Sequence, residues 1–228
     1  MQFISLTGPR FGARPGRARM LVVLCHGVGA DGRDVIGLAT HWAGVLPGAA
    51  FAAPHAPFPY DQAPFGRQWF SLADRSLASL EAGVRTAWPI LDRFVDAELA
   101  RLALPPDAYA LAGFSQGAMM ALFAGLRRDI APRAILSFSG ALIAPGALAD
   151  ERQNEAPVML VHGTDDDVVP AQLTRHAEAV LHAEGIPVRM RLTPGLGHAI
   201  DEAGVAIGGT FLRHAFATVS SGMLSAAE

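Results

Sequence analysis

The sequence predicts an α/β protein in which a mostly parallel central sheet carries helices on both faces. Three observations predict it. Short β-rich apolar runs recur along the chain, helix-length amphipathic stretches separate most of them, and one run passes straight into a glycine-flanked turn and a small-residue helix at residues 109–120. The chain has 228 residues, 51% apolar and 17% charged. That suits one globular domain, residues 1–228, large enough to bury a sizeable core.

Taken in order, the strand-like runs are Leu21–Cys25, Ala49–Ala53, Ala108–Gly113, Ala134–Phe138, Val158–His162 and Val188–Leu192. A helix-like stretch, Asp34–Val45, follows the first. Leu77–Leu104 is the longest helical pattern, with Leu80, Val84, Ala87, Leu91, Phe94, Val95 and Leu99 at helical spacing; Pro89 should kink or break it. Gln116–Arg128, Ala171–Glu184 and Val205–Val219 also read as helices. The exception is residues 53–72, "APHAPFPYDQAPFGRQWFSL", proline-rich, aromatic and too long for an ordinary connection.

Composition excludes several classes of function. A net charge of −3 gives no electrostatic reason to expect nucleic acid or an anionic membrane as partner. All eighteen basic residues are arginine, so phosphate binding through a Walker lysine and Schiff-base catalysis are both excluded. The single Cys25 cannot form an internal disulfide. With no apolar signal segment before residue 20 and no run near the ~20 residues a transmembrane segment needs, a cytoplasmic location is the default expectation. No zinc-type spacing of His, Cys or Glu occurs, and no cofactor is implied.

Gly27, Gly29 and Gly32 in "LCHGVGADGRD" match the G-x-G-x-x-G fingerprint that seats a dinucleotide pyrophosphate. That reading also requires an Asp or Glu about 20 residues on, to bind the ribose. Residues 47–57, "PGAAFAAPHAP", hold no acid. The glycines therefore serve another purpose.

Gly113-Phe114-Ser115-Gln116-Gly117 lies where a strand runs into a helix, which is the setting of a nucleophile elbow. The bland alternative for Ser115 is a helix N-cap. Ser139 in "SFSGAL" is a weaker rival because it lacks the leading glycine. By elbow geometry the N–H of the residue after the nucleophile, Gln116, faces the oxyanion. A serine needs a base and an acid, which should follow it in the order acid, histidine. His198 sits in a Gly-flanked turn after a strand and is the base candidate. His176, His182 and His214 fall on predicted helices, His26 and His162 read as structural, and His41 and His55 precede the serine. The acid lies among Asp165, Asp166 and Asp167, which spacing alone does not separate.

These segments, with "APHAP" at 53–57, "RQWFSL" at 67–72, "VHGTDDDVVP" at 161–170 and "GLGHAI" at 195–200, run in one order along nearly the whole chain. Together they resemble the phospholipase/carboxylesterase family of α/β-hydrolases, which includes the acyl-protein thioesterases. The resemblance implies an α/β-hydrolase fold. Its H-G-x-x-D-x-x-V-P pattern implies that Asp166 is the acid, and its H-G-x-G turn implies that Val28 supplies an oxyanion N–H. The family's "WF" segment lies near the active site, so Trp69 and Phe70 are expected to bind substrate, with residues 55–72 as pocket wall and entrance.

The expectation is a serine carboxylesterase with a Ser115–His198–Asp166 triad and an acyl-enzyme, acting on small-molecule carboxylic esters. Thioesters and lysophospholipids are the nearest alternatives, making the chain an acyl-protein thioesterase or a lysophospholipase. A non-catalytic binding protein of the same fold is more distant, and peptidase or dienelactone-hydrolase chemistry on the same fold is nearer than that. A homodimer is compatible with the sequence, which does not decide oligomeric state.

Overall fold

The computed structural model describes residues 4–217. Its main sheet contains β1 (Arg10–Gly12), β2 (Met20–Cys25), β3 (Ala49–Ala52), β6 (Tyr109–Phe114), β7 (Ile135–Phe138), β8 (Val158–Gly163) and β9 (Val188–Thr193). The order across the sheet is β1-β3-β2-β6-β7-β8-β9. All neighbours pair in parallel except β1, which runs antiparallel to β3 at one edge. A separate hairpin, β4 (Phe58–Pro59) with β5 (Arg67–Gln68), lies within the long proline-rich segment.

Alternate residues of β2 show why the runs read as continuous apolar blocks. Leu21, Val23 and Cys25 face one core with buried residues of α3 (Leu77–Leu102), α4 (Gln116–Arg127) and α6 (Ala171–Ala183). Val22 and Leu24 face the other, with Val35 of α1 (Gly32–Val35), Ala39 and Trp42 of α2 (Leu38–Trp42) and Leu212 of α7 (Glu202–Ala217). A sheet covered on both faces must be apolar on both. A short helix, α5 (Leu148–Glu151), completes the set.

Three expectations change. The stretch expected as one helix over Asp34–Val45 is two short helices, split around Gly37; Asp31 and Asp34 form a capping box that starts α1. Pro89 does not end α3, which runs 26 residues to the left-handed Ala103. Its buried face, including Val84, Ala87, Leu91, Phe94 and Leu99, holds the helix together where a proline removes one backbone bond. The last helix begins a turn earlier than expected, at Glu202; residues 218–219 of that expectation lie outside the described residues.

The chain passes from β2 outward to β3, then returns to β6 on the opposite side of β2. The crevice beyond the carboxyl ends of β2 and β6 is thus a topological switch point, where open α/β sheets bind ligands. Cys25 and Gly113 pair at that edge, so the loops that follow them lie side by side.

Candidate active site

Ser115 is the hinge between β6 and α4, with φ 55° and ψ −121°. Such a backbone costs a non-glycine residue about 1–3 kcal/mol and persists only where surrounding bonds impose it. Here the Ser115 N–H donates to the Phe138 carbonyl at 2.9 Å, and its own carbonyl accepts from Ala118 and Met119 at 2.9 and 3.1 Å. The flanking glycines are steric requirements. A Cβ on Gly113 would lie 2.2 Å from the Gly117 carbonyl oxygen, and one on Gly117 would lie 2.1 Å from that of Cys25. Although Ser115 occupies the N-cap position, its hydroxyl makes no capping bond. The bland role for this serine is therefore absent.

Of the three aspartates after β8, only Asp166 is buried. Its Oδ2 accepts from His198 Nδ1 at 2.7 Å, while Oδ1 accepts the N–H groups of Val168 and Val169 at 3.0 and 2.8 Å. Burial alone would raise the pKa of this carboxyl. The hydrogen bonds from His198, Val169 and Val168 outweigh it and hold Asp166 below the usual carboxylate range. Asp165 is exposed and accepts from the Thr164 hydroxyl; Asp167 is exposed. The His198 ring also packs on Phe114, with centroids 4.7 Å apart. Because Phe114 immediately precedes Ser115, imidazole and elbow lie alongside each other.

The third component is the turn after β2. Gly27 packs directly on the elbow, since a Cβ there would lie 3.3 Å from Ser115 Cβ. His26 Nδ1 donates to the Gly27 carbonyl at 2.7 Å, and its Nε2 accepts the Ala56 N–H at 2.9 Å. Burial lowers the pKa of His26, which favours the neutral ring that this pair of bonds requires. In a trans peptide the carbonyl and the following N–H point in opposite directions. Fixing the Gly27 carbonyl therefore also fixes the direction of the Val28 N–H. The Gln116 N–H belongs to the first turn of α4, where helix geometry leaves donors without intrahelical partners.

The proline-rich segment is tied to this frame. The Gln116 side chain accepts the Trp69 N–H at 2.9 Å and donates to the Phe70 carbonyl at 2.7 Å. Trp69 Nε1 donates to the His26 carbonyl at 2.9 Å, and the Gly29 N–H donates to the Arg67 carbonyl at 2.8 Å. Trp69 and Phe70 were expected to line a pocket, but they are 0% and 2% exposed and belong to the main core. The exposed aromatic of the segment is Phe65, at 76%. The Gln116 side chain clamp was not legible, because a glutamine after a serine gives no sign of where its amide will reach. Ser139, the rival nucleophile, has a positive φ of 48° and a fully buried hydroxyl without a partner in the described residues.

Residues 12–216 match the model of the Phospholipase/Carboxylesterase family. Among curated proteins, the chain is 28% identical over 198 residues to "Esterase YpfH" of Escherichia coli, covering 86% of this chain and 83% of that one. It is 28% identical over 195 residues to "Acyl-protein thioesterase 1" of Neurospora crassa, covering 78% and 79%. Among solved structures, that of esterase PE8 aligns with a TM-score of 0.88 at 42% identity, over 92% of this chain and 99% of that one.

Proposed function

The chain belongs to the phospholipase/carboxylesterase family, and from that premise we propose that it is a carboxylic ester hydrolase working through a Ser115–His198–Asp166 triad. Ser115 Oγ attacks the acyl carbonyl as His198 Nε2 takes its proton. Asp166 holds the imidazole by Nδ1 and stabilises the cation that forms. The tetrahedral oxyanion receives hydrogen bonds from the N–H groups of Val28 and Gln116, helped by the positive end of α4. As the intermediate collapses, His198 returns the proton to the departing alcohol. Water, activated by the same imidazole, then hydrolyses the acyl-enzyme and restores Ser115.

The observation that carries this reading is the buried Asp166 carboxylate 2.7 Å from His198 Nδ1, with that imidazole packed on the residue before a strained, uncapped Ser115. Trp69 and Phe70 act as the floor that supports the elbow and oxyanion turn, through Gln116 and His26. No step calls on a metal or an organic cofactor. Among the described residues no helix is long and apolar enough to cross a membrane.

Thioester hydrolysis is the second reading, favoured by the similarity to proteins named acyl-protein thioesterase 1. It uses the same attack with a thiolate leaving group. Turnover of p-nitrophenyl esters from acetate to palmitate, beside an acyl-thioester and a lysophospholipid, separates these. Hydrolysis of at least one oxygen ester, abolished in Ser115→Ala, is expected. Turnover of none of the substrates would remove the proposal.

A further inference from the structure

A second histidine lies against the acid of the proposed triad. His162, on β8, is 1% exposed and lies four residues before Asp166. Its Nε2 faces the Val169 carbonyl at 2.7 Å and Asp166 Oδ2 at 3.0 Å. Both are acceptors, so this nitrogen bears a proton. On the other side of the ring, Nδ1 lies 2.6 Å from the Thr174 hydroxyl oxygen of α6, which is also 3.2 Å from the Gly140 carbonyl oxygen. One oxygen of the acid thus has two imidazoles against it, His162 and His198.

We propose that His162 is a positioning residue that holds the acid of the triad, working through Asp166 and not on the substrate; the proposal rests on the triad reading above. The turn it closes is a short ring of bonds. Val169 N–H donates to Asp166 Oδ1, and the Val169 carbonyl accepts from His162. With the ring anchored to α6 through Thr174, the turn cannot rotate without breaking two buried contacts. Oδ2 is thereby held at the position from which it meets His198. Neither nitrogen of His162 is free for proton transfer, and the ring is closed to solvent.

Replacing His162 tests this, because glutamine carries an N–H to roughly the place of Nε2, whereas asparagine reaches only as far as Nδ1. His162→Leu and His162→Asn are expected to lower kcat about 10- to 100-fold, the size of a lost hydrogen bond to a charged group, with KM within about twofold. His162→Gln is expected to keep about a third of wild-type kcat or more. In the background of Asp166→Asn, adding His162→Leu should cost no more than about threefold, since the carboxylate it positions is already gone. Thermal melts normalise each rate to folded protein; should His162→Leu fail to fold, the Gln-against-Asn comparison decides alone. Equal kcat for the Gln and Asn variants, or losses that multiply in the double variant, would overturn the proposal. Near-wild-type activity of Asp166→Asn by itself would instead remove the triad reading, so the two failures are distinct.

Discussion

Asp165, Asp166 and Asp167 carry the same side chain, yet only the middle one is buried, with both carboxylate oxygens occupied by N–H donors. Asp166→Asn should therefore damage kcat far more than the same change on either side. Its amide can present N–H₂ to the imidazole and favour the wrong tautomer, which in a serine protease triad costs about 10⁴. Asp165→Asn and Asp167→Asn should stay within about threefold of wild type, because exposed carboxylates at such a turn contribute little. Measured kcat for the three single variants checks this, and a larger loss at Asp167 would shift the acid by one residue. Ser115 and His198 stand out as candidates in the sequence because each sits in a local pattern of glycines at a strand end. The aspartate was not separable by its neighbours, since what distinguishes it is a bond to a loop 32 residues away. Only the family resemblance pointed to it.

Among the elements, the segment from His55 to Leu72 hides its place in the core from its sequence. A cluster of aromatics in a long loop suggests a binding surface, but aromatic side chains serve a core equally well. The balance is tipped by polar partners elsewhere in the chain: the Gln116 amide takes both backbone groups of the Trp69–Phe70 step, and the His26 carbonyl takes the indole N–H. Trp69→Ala is accordingly expected to cost about 3–5 kcal/mol of stability, as for a fully buried aromatic. Activity should fall by a similar factor for short and long acyl esters alike. Denaturant unfolding and kcat/KM on acetate and octanoate esters report the two effects. A change in chain-length preference of tenfold or more with an unaltered unfolding midpoint would restore Trp69 to the pocket wall. The parallel strands and α3, α4 and α6 were legible for the opposite reason, since their apolar periodicity reports burial directly. The edge strand β1 was not, because all three of its residues are exposed and leave no such pattern.

Across the whole molecule, an ionic tie joins the edge of the sheet to its longest helix. Glu98 on α3 is buried and accepts from Arg10 of β1, with Nε at 3.0 and 3.1 Å, and from Arg101. Burial opposes its ionisation, but the bonds from Arg10 and Arg101 hold its pKa below the usual carboxylate range. A carboxyl lowered in the folded state stabilises fully above its unfolded pKa, about 4.3, and loses that contribution as pH falls through the folded value. Glu98→Gln should thus lower stability at pH 7, by about 1–2 kcal/mol once the partial exposure of both arginines is allowed for, and the difference from wild type should shrink as pH falls below the unfolded carboxylate range. Urea unfolding at pH 7, 5 and 3 checks the trend; a difference independent of pH would assign the loss to packing.

Ser115, held in a strained elbow at the switch point of the sheet, is the proposed nucleophile. The most direct measurement is intact-mass and peptide mapping after reaction with a fluorophosphonate. One adduct per chain is predicted, on Ser115, with loss of ester hydrolysis in step with labelling and no adduct on Ser115→Ala. An adduct on Ser139, or hydrolysis that survives Ser115→Ala at a tenth of wild-type turnover or more, would contradict it.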